Sequence, residues 1–126
     1  MLSYVTLGTN DLPRACRFYD AALGALDYVR HVDGENEKGY GPKDGTIQFW
    51  INRPYDDKPA TVGNGTMPAF HAPSRGAVRD FHHAALNTGG SDEGAPGLRD
   101  YGPNFYAAYV RDPDGNKLSA VCLGPA

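Results

Sequence analysis

The chain of 126 residues is poor in the groups that carry most enzyme chemistry: two cysteines, four histidines, one tryptophan and two methionines. Cys16 and Cys122 stand alone, with no CxxC spacing and no histidine nearby, so neither a disulfide framework nor a zinc knuckle is expected. Two buried thiols in a reducing cytoplasm are the expectation. No apolar run approaches the ~20 residues of a membrane span. The opening Met1-Leu2-Ser3-Tyr4-Val5-Thr6-Leu7 alternates like a strand and has no basic prefix, so it does not read as a signal peptide. The twelve Lys and Arg are scattered, and the net charge is -3, which makes nucleic acid and anionic membrane poor partners. No nucleophile motif and no glycine-rich phosphate loop is present.

What the chain does have is glycine, 16 residues, and proline, 10, placed between apolar segments as turn formers. It also has an internal repeat. Tyr4–Leu23 aligns without a gap on Met67–Leu86 at an offset of 63 residues, half the chain. Phe18-Tyr-Asp-Ala-Ala-Leu23 falls on Phe81-His-His-Ala-Ala-Leu86, and Asp11 falls on Ser74. Each copy reads as a short strand, a helix-start signal and an amphipathic helix. Leu12, Ala15, Cys16, Tyr19, Ala22 and Leu23 form the apolar face of the first, and Ala77, Val78, Phe81, Ala84 and Ala85 that of the second, with Ser74 as its N-cap. Short strand-like runs follow each helix: Leu26–Val32, Lys38–Tyr40 and Thr46–Asn52, then a weak segment at Ala95–Leu98, Asn104–Val110 and Lys117–Leu123. The last two join through Asp112-Pro-Asp-Gly115. The reading is α+β: two βαβββ modules in tandem, about 1–52 and 65–126, joined by a linker at 53–64. Each module is too small to hold a core alone.

In order, "VTLGTNDLPRACRFYDAALGAL", "GTIQFWI", "APSRGAVRDFHHAAL" and "YAAYVRDPDGNKLSAVC" resemble the vicinal-oxygen-chelate superfamily of glyoxalases, bleomycin-resistance proteins and extradiol dioxygenases. The resemblance implies curved mixed sheets around a cleft, commonly completed by dimerisation, so a homodimer is expected. In metal-using members one ligand comes from the first and last strand of each module, and those positions fall here on Tyr4, Gln48, Met67 and Ser119. Amide, hydroxyl and thioether groups do not offset the dehydration of a divalent ion, so no metal and no other cofactor is expected.

Could the histidines rebuild a site? His82 and His83 are helical neighbours and point about 100° apart, so they cannot share one ion. His31 carries no specific signal, while His71 shares parity with Met67 at the cleft mouth. Alternation adds Trp50 beside Gln48, and Phe105 beside Tyr109, to the ligand-binding set Tyr4, Gln48, Trp50, Met67, His71, Phe105, Tyr109 and Ser119. His71 and Tyr109, with Tyr4, are the only acid or base candidates. The expectation is a metal-free pocket that sequesters an aromatic or apolar small molecule. The alternative is a glyoxalase- or dioxygenase-like enzyme acting on a small carbonyl or aromatic substrate, with or without a metal.

Overall fold

The computed structural model describes residues 1–126 and contains two helices and eight strands in two four-stranded mixed sheets. The first module comprises β1 (Val5–Gly8), α1 (Leu12–Gly24), β2 (Tyr28–Asp33), β3 (Glu37–Pro42) and β4 (Phe49–Asn52), with strand order β1-β4-β3-β2. The second comprises β5 (Ala69–His71), α2 (Arg75–Asn87), β6 (Ser91–Leu98), β7 (Tyr106–Arg111) and β8 (Lys117–Cys122), in the order β5-β8-β7-β6. In each sheet the first strand pairs parallel with the last, and the other pairings are antiparallel.

The two helices occupy equivalent positions of the repeat. Asp11 caps α1 by accepting from Arg14 N at 3.0 Å, and Ser74 caps α2 by accepting from Ala77 N at 3.0 Å. Strand boundaries shift from the expected ones for local reasons. Asp44 accepts from Thr46 N at 2.9 Å and Gly45 takes φ 97°, so the turn extends further and β4 begins only at Phe49. β6 is longer than the weak signal at Ala95–Leu98 because it is twice irregular, between Asp92 and Gly94 and between Gly94 and Gly97, where glycine and proline dilute the strand pattern.

Each helix lies on one face of its sheet. Leu7, Tyr40, Phe49 and Ile51 meet the apolar side of α1, while Ala108, Val110, Leu118 and Ala120 meet that of α2. The helices also pack against each other, so one buried cluster runs through both modules. Polar bonds across the halves reinforce it. The buried Asp112 carboxylate accepts from Tyr19 Oη at 2.5 Å and from Asn116 Nδ2 at 2.9 Å, and Asn116 Nδ2 also donates to Gly8 O at 3.1 Å. Asp114 accepts from Thr9 Oγ1, Asn10 N and Arg14 Nη2 at 2.5, 2.9 and 2.8 Å. The Asp112-Pro-Asp-Gly turn is thus a brace between modules as well as a hairpin. Alternation along the strands leaves Thr6, Trp50, Asn52 and Gly39 on the helix-free face of the first sheet, and Tyr109 and Ser119 on that of the second.

Candidate functional site

A cavity of about 900 Å³ lies on the helix-free face of the first sheet. Its floor is Thr6 and Gly8 of β1, Trp50 and Asn52 of β4 and Glu37 of β3. Its roof is the segment from Arg53 to Thr61. That segment is held at both ends. Arg53 N donates to Asn36 O at 2.9 Å, and the Asn10 amide grips Ala60 both ways, Nδ2 to Ala60 O at 3.1 Å and Ala60 N to Oδ1 at 2.7 Å. Gly8 permits the approach: a Cβ there would stand 3.1 Å from Ala60 Cβ. The linker expected only to join the modules therefore folds back over the sheet.

Trp50, half-buried, has its indole across Gly39 on the neighbouring strand, where a Cβ would stand 2.9 Å from Cζ3. Tyr4 and Tyr55 add two exposed rings at the rim. Asn52 Oδ1 is buried without a hydrogen-bond partner.

A second cavity of about 580 Å³ sits where the modules meet, lined by Tyr4, Gln48, Met67, His71, Tyr28 and Tyr40 among others. Tyr28 Oη donates to His71 O at 3.0 Å, and burial raises its pKa. Burial also raises the Tyr40 phenol, reinforced by its hydrogen bond to Asp20. Both are donors at neutral pH, not bases.

Of the sequence-derived set, Tyr4 and Trp50 meet in the first cavity, and Tyr4, Gln48, Met67 and His71 in the second. Phe105, Tyr109 and Ser119 line neither. Phe105 precedes β7 and stacks edge-on against Tyr101 at 5.3 Å, so its expected parity with Tyr109 is lost in the turn. Tyr109 is covered on its own sheet: Arg99 Cζ lies 5.3 Å and Lys117 Nζ 5.8 Å from the ring centroid. His71 and Tyr109 make no side-chain hydrogen bond, and neither has the carboxylate partner a general acid or base would use. His82 pairs with Asp92 at 2.8 Å, which lowers the Asp92 pKa, and His83 bonds Asn87 at 3.0 Å; both serve the surface of α2.

This architecture can be compared with known proteins. The sequence profile of the Glyoxalase/Bleomycin resistance protein/Dioxygenase superfamily matches residues 1–119. The chain belongs to that superfamily. A crystal structure of a glyoxalase/bleomycin resistance protein from Albidiferax ferrireducens T118 is 40% identical, with TM-score 0.88 and 99% of each chain covered. Two more distant structures share the fold. A glyoxalase-related enzyme from Fulvimarina pelagi has 19% identity and TM-score 0.74, covering 97% of this chain and 87% of that one. A glyoxalase/bleomycin resistance protein/dioxygenase family enzyme from Burkholderia phytofirmans PsJN has 18% identity and TM-score 0.73, covering 97% and 98%. No curated protein matches.

The metal of the superfamily's metal-using members does not fit the residues present. Tyr4, Gln48 and Met67 are exposed and neutral, while Ser119 is fully buried with its Oγ unpartnered. Within the chain no three His, Cys, Asp or Glu side chains are grouped closely enough to hold an ion. A divalent ion requires anionic oxygen, thiolate or imidazole to replace its hydration, and the four positions offer none.

Proposed function

We propose that the protein is a metal-independent small-molecule-binding member of the superfamily, with its ligand seated over Trp50 beneath the Arg53–Thr61 roof. The observation that carries this reading is the 900 Å³ cavity itself, walled by Trp50 and Tyr4 on a sheet face that the core does not use. An aromatic floor with amide and hydroxyl groups around it binds by stacking and burial and needs no ion. Catalysis draws no support from the geometry, because the candidate acid–base groups are unpartnered. The free edges of β1 and β5 favour a homodimer, which light scattering at micromolar concentration checks against a 13.6 kDa particle. No helix is long and apolar enough to cross a membrane, and the two free, buried thiols suit a reducing cytoplasm.

Trp50 is the only tryptophan, so its emission reports on this cavity alone. Screening aromatic and carbonyl compounds by emission and melting temperature, with and without EDTA, is expected to yield ligands that shift both signals equally in either condition. Binding abolished by EDTA, or a stoichiometric metal in the purified protein, overturns the proposal.

A further inference from the structure

We infer that the ligand of the Trp50 cavity is an organic cation, an amine or quaternary ammonium carried on a flat apolar body. The inference rests on the proposed seat over Trp50 and adds the charge of what sits there. Three aromatic rings border the cavity, Trp50, Tyr4 and Tyr55. Three carboxylates border it too, Glu37, Asp56 and Asp57, against the single guanidinium of Arg53. None of these four charged groups takes part in any ion pair of the chain. Asp56 spends one oxygen on Lys58 N, at 3.0 Å, and keeps its charge.

Aromatic faces carry negative quadrupolar charge, so rings and carboxylates attract the same partner. Low-dielectric walls focus that field into the cavity, while the same arrangement repels a carboxylate or phosphate. A neutral aromatic compound would use the indole and leave the carboxylates unengaged. An organic cation uses both. The scaffold arranges this locally: Gly39 makes room for the indole on the floor, and the Asn10 grip on Ala60 holds above it the roof segment from which Asp56 and Asp57, but not Lys58, line the cavity.

The test titrates the full chain with three benzyl probes of similar size, following Trp50 emission: benzyltrimethylammonium, benzyl alcohol and benzoate. The cation is expected to bind about tenfold more tightly than the alcohol, with benzoate weakest, and its advantage should shrink as salt rises. A second arm uses the double variant Asp56→Asn with Asp57→Asn. Both residues are exposed, asparagine keeps the Asp56 acceptor, and it tolerates the left-handed φ of 59° at Asp57, so folding should be unaffected. That variant should lose most of the preference for the cation and bind the alcohol as before. Benzyl alcohol or benzoate matching the cation, or an unchanged preference in the double variant, overturns the charge inference and leaves the cavity standing. Emission unmoved by all three probes overturns both.

Discussion

Substituting Gly39→Ala tests how the floor of the cavity is built. Gly39 is buried on β3 opposite Trp50, and an added Cβ would stand 2.9 Å from Cζ3, 3.1 Å from Cε3 and 3.0 Å from Ile47 Cγ2. Comfortable carbon–carbon contact is about 3.5–4.0 Å, so the indole must swing away from the strand or the strand must shift. Overpacking of this kind costs about 1–3 kcal/mol. Alanine returns ~0.4–1 kcal/mol by narrowing the unfolded ensemble, which leaves a net loss of about 1–2 kcal/mol. For a chain of this length an unfolding entropy of about 2.1 cal/mol/K per residue converts that into a melting temperature ~4–8 °C lower. Because the atom that moves belongs to the only fluorophore of its kind, the emission maximum should shift as well, and benzyltrimethylammonium should bind more weakly. Gly24→Ala is the control, since nothing lies within 4 Å of its added methyl. It should leave the emission unchanged. A Gly39→Ala protein with unaltered melting temperature and superimposable emission would show that Gly39 is not what gives the indole its place.

Two further outcomes follow from groups away from the cavity. Ser119→Glu is expected to bind no metal, because one buried carboxylate with no group of His, Cys, Asp or Glu around it does not make a site; burying it should cost about 2–5 kcal/mol, and a stoichiometric zinc or nickel signal would refute this. Alkaline stability is set by Tyr19, raised by burial and then by Asp112, and by Tyr40, raised by burial and then by Asp20. The fold favours both protonated phenols, so their contribution is whole below the ordinary tyrosine value of ~10 and fades as pH rises above it. Melting temperature should therefore fall above pH ~10, and less steeply in Tyr19→Phe; an equally steep fall in that variant would refute the assignment.

The helices were legible because their signals are local. Asp11 and Ser74 start the same 3.6-residue pattern at the same point of the repeat, and a cap with its apolar face lies within a few turns of chain. Alternation along one strand sets Trp50 opposite the core residues Phe49 and Ile51, but its expected neighbour Gln48 precedes β4 and lines the second cavity instead. What escaped were contacts between distant residues. Nothing in Arg53–Asn64 distinguishes a linker that spans from one that folds back, because the decision rests with Asn10 and Gly8, some fifty positions earlier. Asp112 likewise reads as a turn former, and only Tyr19, whose apolar spacing hides a hydroxyl, makes it a brace. Phe105 went astray by extending a strand two residues too far, where parity has no meaning.

The repeat gives the two halves similar backbones and leaves their helix-free faces unlike, and that difference is why the proposed ligand is placed in one half. Both faces carry a ring laid across a glycine of the neighbouring strand: Trp50 over Gly39 in the first, and in the second Tyr109 over Gly94, where a Cβ would stand 2.8 Å from Cδ2. The Tyr109 ring is already served by cations of its own chain, Arg99 and Lys117, and Arg99 is held in place by Nη2 donating to Ala95 O at 2.6 Å. Over Trp50 no such cation lies. An arginine or lysine there would have filled the role that carboxylates and rings now leave to a ligand. A chain with two open rings would take two ligands, whereas this one should take a single cation per chain, because the second module has supplied its own.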